Sequence, residues 1–184
     1  MNERKYALFG LLGPFTAILF VLIAIIFSPW FSWWDNALSD LGNSSVHIEA
    51  APWFNFGLLL SGFFMILYSI MIFGKYAKCT SLLSVVAGLS LQLIGTFDEV
   101  YVSLHFLFSL LFFASLGFAS TIYTVEKKSV VALVALVIGA GSWVLYGAGI
   151  YSTGIAVPEA ISAIATFAWI MLSALQIYFD KLSV

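Results

Sequence analysis

The sequence predicts an all-α fold, a polytopic membrane helical bundle of six transmembrane helices with a short interfacial segment in the first outer loop. Three observations carry this. Apolar residues make up 62% of the 184 positions and charged residues 9%, against about 45–50% and about 25% in soluble domains. The apolar residues fall into six runs, at 6–27, 53–74, 81–97, 101–124, 130–150 and 158–179; a helix needs about 20 such residues to cross a bilayer. All seven Lys and Arg residues lie in the connections on one side of these runs.

So few charges cannot cover a water-facing surface, which excludes a soluble globule and a disordered chain. A net charge of −2 gives no attraction to polyanions, so nucleic acid is not a partner. A single cysteine excludes an internal disulfide framework and a Cys-rich zinc site. Open sheets fail in lipid because their edges stay unpaired. A barrel needs strands of about 10 residues with alternating polarity, whereas these runs are continuously apolar. The whole of 1–184 reads as one integral membrane domain.

The first run follows a basic start at Arg4 and Lys5. At about 22 residues it exceeds the roughly 7–15 of a signal-peptide core, so it reads as an uncleaved span. Pro14 lies near its start and can bend it. The outer loop at 28–52 is too long for an idle connection. Trp30, Phe31, Trp33 and Trp34 form an aromatic belt at the lipid interface. Trp30, Trp34, Leu38 and Leu41 recur at helical spacing, which predicts a short helix on the outer interface. Gly42 and Asn43 would end it, with Gly42 left-handed.

Helix packing in lipid relies on small residues. Gly57 and Ser61 supply them in span two, Ser84 and Gly88 in span three. The same faces offer a route to a homo-oligomer. Span five carries Gly139, Gly141, Gly147 and Gly149 and is expected to be the buried, close-packed helix. Asn55, Gln92 and Gln176 are expected to bond neighbouring helices.

Lys75 and Lys78 fall between spans two and three, Lys127 and Lys128 between four and five, and Lys181 after span six. The positive-inside rule then places both termini in the cytoplasm, the protein being multi-pass in the cell membrane. Six of nine carboxylates, Asp35, Asp40, Glu49, Asp98, Glu99 and Glu159, face outward, as do His47 and His105. Any polar site belongs on that outer side.

Asp98, Glu99 and His105 are the sharpest constellation, and the loop could bring Asp40 to them. Asp98 and His105 are seven apart and would share a helix face. A histidine at lipid depth faces the bundle interior and is a functional candidate by default. His105 could act as a base oriented by Asp98 or Glu159. No cofactor is predicted, although His105, Asp98, Glu99 and Asp40 could hold a divalent metal. The structural alternative is as concrete. Asp98 or Glu99 can cap span four, Glu159 after Pro158 can start span six, and His105 can make one hydrogen bond. His47 reads as exposed.

LSDLG (Leu38–Gly42) after span one, Asn55-Phe56-Gly57 opening span two, and GTFDE at 95–99 followed by His105 resemble a prokaryotic, largely archaeal family of six-helix membrane proteins, a domain of unknown function (nine-nine-eight). The same order is distantly similar to the damage-regulated autophagy modulators and to the membrane proteins of GPI-anchor lipid remodelling. The resemblance covers most of the chain and implies a six-helix fold and a lipid-related role. It supplies no reaction.

Three function classes follow. The first is a protein that binds or organises membrane lipids, with Trp30, Trp33 and Trp34 at the interface. The second is a lipid-directed hydrolase or remodelling enzyme using His105, Asp98, Glu99 and Asp40. The third is a small-solute transporter, disfavoured because the spans lack mid-membrane charges. Reporter fusions at Gly74, Ser129 and Val184 should read inside, and at Ser45 and Thr153 outside; two contrary fusions would end the topology.

Overall fold

A computed structural model describes residues 3–150 and 152–182. Among them are six helices long and apolar enough to cross a membrane, and no strand. The helices are α1 (Phe9–Ile26), α2 (Ala51–Met71), α3 (Lys78–Thr96), α4 (Val102–Lys127), α5 (Val130–Gly147) and α6 (Ala156–Tyr178). A 3₁₀ segment, Glu3–Leu8, leads into α1. Each helix packs on the next in sequence and α6 returns to α1, closing a ring. The end of the ring with the terminal segments carries the basic residues. The other end carries the 28–52 loop and most carboxylates.

Polar bonds and bare backbone set the helix spacing, because lipid gives apolar faces no reason to associate. The backbones of α2 and α3 touch: a Cβ on Gly88 would sit 2.9 Å from the Gly62 carbonyl oxygen, and one on Gly62 would sit 2.7 Å from Gln92 Cγ. Gln92 Nε2 then donates to Leu59 O at 3.3 Å. Ser61 Oγ donates to Gly13 O at 2.8 Å and joins α2 to α1. The start of α3 is capped from a distance. Glu126, near the end of α4, accepts from the amides of Cys79 at 3.0 Å and Thr80 at 3.2 Å. That explains why α3 begins at Lys78 rather than 81. At the same end Glu3 pairs with Lys75 and Arg4 with Asp180, exposed pairs worth about 0–1 kcal/mol each.

The basic half of the ring is filled with aromatic rings. Tyr68 stacks on Phe73 at 4.8 Å and Tyr123 on Trp169 at 4.7 Å, with Phe73 5.7 Å from Tyr123. Trp169 Nε1 donates to Ser120 Oγ at 2.9 Å, and the hydroxyls of Tyr68 and Ser173 pair at 2.8 Å. The indole and phenol thus find polar partners at a depth without water.

Three sequence expectations change. Span five is the most exposed of the six helices. Packed only against α4 and α6, it has no third neighbour for its glycines: a Cβ on Gly141 or Gly147 would meet open space, and Gly139 alone presses on Ser162. Gly149, at φ +65°, instead turns the chain after α5. The outer loop is not one helix through Trp30 to Leu41, and only Leu38–Gly42 coils, as a 3₁₀ turn. Its polar side chains bond their own backbone: Asn36 Oδ1 accepts from Ser32 N at 2.9 Å and Asp40 Oδ2 from Ala37 N at 3.0 Å, which favours turns over a helix. Gly42 is not left-handed, since Gly149 is the positive-φ glycine among the described residues. A Cβ on Gly42 would lie 2.6 Å from Asn55 Oδ1, so glycine is needed there for close approach.

Gly88→Ala should cost about 1–3 kcal/mol by forcing α2 and α3 apart. Gly141→Ala, facing open space, should be neutral or stabilise by up to about 1 kcal/mol through helix propensity. Denaturation of the detergent-solubilised protein measures both; equal effects would refute the close α2–α3 crossing.

Candidate functional site

The 28–52 loop folds down onto the acidic end of the bundle. Gly154 N donates to Trp33 O and Ala156 N to Asn36 O, both at 3.0 Å, so the backbone entering α6 is hydrogen-bonded to the loop. Two residues further, Leu38 N donates to Glu159 Oε2 at 2.8 Å. Asn55 Nδ2, at the start of α2, donates to Gly42 O at 2.9 Å. The loop is thereby held to both α2 and α6.

Its 3₁₀ turn presents Asp40 to the connection between α3 and α4. Asp40 Oδ2 accepts from Asn36 Nδ2 at 2.8 Å and from Ala37 N. The Asp40 and Glu99 carboxyls face each other within hydrogen-bond range, with Asp98 beside them. Glu159 lies within electrostatic reach of both Asp40 and Glu99. Asn43 Nδ2 reaches Glu99 Oε2 at 3.5 Å. Asp98 is buried. It accepts from Val100 N at 3.1 Å as the cap of the 3₁₀ turn Glu99–Tyr101, and from Ser44 N at 3.3 Å. No Lys or Arg lies at this end, and like-charged carboxyls can face one another only with a shared proton or a cation between them.

His105 is 8% exposed and sits in the first turn of α4. Asp98 is not on its helix. The ring is held instead by the preceding connection, with Nδ1 3.0 Å from Phe97 O. A carbonyl can only accept, so this bond puts the proton on Nδ1 and leaves Nε2 as a lone pair. Nε2 has no hydrogen-bond partner among the described residues. Asp98 is close enough to act on the ring electrostatically.

His105 borders a cavity of about 160 Å³. The apolar walls come from α1 (Ala17, Val21, Ile25), α2 (Phe54, Leu58), α3 (Leu91, Ile94), α4 (Phe112, Phe113) and α6 (Ala160, Ala163, Phe167). Trp33, Leu38 and Ser39 of the loop roof it, and Ser109 and Glu159 join His105 as its polar lining. Ile18, Leu22 and Ile164 also line it, yet are 38%, 52% and 56% exposed on the outer surface. The cavity therefore opens sideways between α1 and α6. Those two helices meet closely at the basic end, where a Cβ on Gly10 would lie 2.8 Å from Ala174 Cβ, and part toward the acidic end.

The four carboxylates on which the sequence focused, Asp40, Asp98, Glu99 and Glu159, do come together, but only Glu159 borders the cavity. Glu159 receives the loop's amide rather than merely starting α6. His47 stands apart, stacked on Trp30 at 3.6 Å between ring centres. Trp33 reaches the cavity, while Trp30 and Trp34 are exposed. Among the described residues no three His, Cys, Asp or Glu side chains are grouped to hold a metal ion. Sequence reasoning missed Ser109 and Ser39. Ser109 lies four residues after His105, one turn along the same face, and that spacing was the available signal.

Asp40→Ala strips the acceptor from Asn36 Nδ2 and Ala37 N and should destabilise the loop by about 1–3 kcal/mol. Asp40→Asn keeps an oxygen for those donors and removes the opposition to Glu99, so it should be neutral or stabilising. Hydrogen exchange at the Ala37 amide distinguishes them: faster exchange in the alanine variant alone is expected, and unchanged exchange in that variant would refute the Asp40–Ala37 bond.

Residues 11–176 match a protein family described as a protein of unknown function, DUF998. No curated protein and no solved structure matches significantly.

Proposed function

The chain belongs to the DUF998 family, whose function is unknown, and we propose that this integral membrane protein binds a membrane lipid, drawing one hydrocarbon chain sideways into the cavity with the polar headgroup at the acidic end. The single observation behind this reading is the cavity's form: apolar along its depth, open to the bilayer between α1 and α6, and polar only under the loop. The space of about 160 Å³ opens on the side of the bundle, where a lipid chain can enter and fill it. A space of about this size admits a benzene-sized group, which fits a segment of one chain and not a whole lipid. The basic end lies in the cytoplasm by the positive-inside rule, which puts the cavity in the outer leaflet. The filled aromatic half beneath it disfavours a path across the membrane.

One observation favours a second reading, a lipid-directed hydrolase. His105 lines the cavity with Nδ1 committed to Phe97 O, which leaves Nε2 as the acceptor nitrogen, and Ser109, one turn away on α4, lines the same space. In that reading His105 takes the Ser109 proton as the hydroxyl attacks an ester carbonyl; the ester C–O bond breaks, the leaving alcohol takes that proton from His105, and water then hydrolyses the acyl-serine. Labelling of Ser109 by a long-chain fluorophosphonate, lost in His105→Phe, would establish it; no labelling would leave binding alone.

Phospholipids carrying a photoreactive group along the acyl chain test the lipid reading. Cross-links should concentrate on residues 17–25 and 160–167. Ala163→Trp, which fills the cavity, should reduce them to background while the protein stays folded. Cross-links spread evenly over all lipid-facing helices would overturn the proposal.

A further inference from the structure

Resting on the lipid-binding reading, we propose that the cavity selects an amphiphile with a primary ammonium headgroup, held between Glu159, His105 and the indole of Trp33. A hydrocarbon tail gains little by leaving lipid for an equally apolar wall. Selection therefore falls to the few polar groups at the closed end.

Those groups share one character. Glu159 commits one oxygen, Oε2, to Leu38 N, and Oε1 has no hydrogen-bond partner among the described residues. His105, more than nine-tenths buried, lines the space with its donor nitrogen committed to Phe97 O, so that its other nitrogen is an acceptor. Both remaining positions accept. The hydroxyls of Ser39 and Ser109 can accept as well. A primary ammonium has three N–H donors and no acceptor, which complements this set. The Trp33 ring in the roof adds a face that attracts cations.

The surroundings exclude the opposite charge. Asp40 and Glu99 lie within electrostatic reach of Glu159, and no Lys or Arg occurs at this end of the bundle. An anionic headgroup would meet a group of carboxyls with no Lys or Arg beside them, and such repulsion is an effective source of specificity. A quaternary ammonium carries the charge without donors and would leave Glu159 Oε1 and His105 Nε2 without hydrogen bonds.

The probes are four single-chain amphiphiles with one tail: oleylamine, oleyltrimethylammonium, oleyl alcohol and oleic acid. Binding to the full chain in a neutral detergent is read by native mass spectrometry at neutral pH. Oleylamine should bind at least about tenfold tighter than oleyl alcohol, the yield of one charge-assisted hydrogen bond. Oleyltrimethylammonium should lie between them and oleic acid last. Glu159→Gln keeps an oxygen for Leu38 N but loses the charge, and should bring oleylamine down to the alcohol's affinity with the alcohol unchanged. Trp33→Leu should weaken the two cations selectively and serves if Glu159→Gln fails to fold. Equal binding of all four would overturn the ammonium assignment and leave the lipid reading standing. Oleic acid binding tightest would also overturn it. No binding by any probe, together with cross-links spread evenly, would overturn both.

Discussion

The hydrogen bond from Leu38 N to Glu159 is the tie on which the acidic end depends. It joins positions 121 residues apart, with the side chain of Glu159 as acceptor. Beside it the bonds of Gly154 and Ala156 to the loop carbonyls use amide groups that a helix start leaves without partners. One set of contacts thus fixes the start of α6, anchors the loop and roofs the cavity. Without it Trp33, Leu38 and Ser39 would lose their fixed place, and the polar lining would be reduced to side chains of α4 and α6.

The two halves of the ring solve the same packing problem differently. In the basic half Trp169, Tyr68, Phe73 and Tyr123 occupy the centre, with the Trp169 indole bonded to Ser120 and the Tyr68 hydroxyl to Ser173. In the acidic half α1, α4 and α6 each place small residues among the larger ones that line the space: Ala17, Ser109, Ala160 and Ala163. None of the described residues fills the space they leave. The Gly10–Ala174 approach pins α1 to α6 at the filled end, so the seam between them widens toward the empty one.

The six helices were legible because lipid leaves the backbone few choices, and run length alone nearly fixes them. Their ends were less so: Lys78 starts α3 because Glu126, far away in sequence, takes its amides. The gathering of Asp40, Asp98, Glu99 and Glu159 followed from sidedness, since charged groups near a bilayer have few places to go. Which carboxyl lines the cavity did not, because it depends on how the loop turns at Asn36 and Asp40. The glycines of α5 misled for a related reason. Glycine permits close approach, but only a neighbouring helix makes use of it, and ring order gives α5 too few. Ser109 escaped notice because one serine in an apolar helix looks inert until its neighbour His105 is seen to face a cavity.

The seam between α1 and α6 bears on how the molecule is made. Synthesis runs from the N-terminus, so α1 through α5 reach the membrane before α6. Until α6 docks, the groove beside α1 has one wall missing and lies open to the leaflet. A lipid chain resting there would be enclosed by the arrival of α6 and would not have to thread a finished opening. On the proposed lipid-binding reading, biogenesis would load the site, with the first occupant drawn from the membrane in which the chain is made.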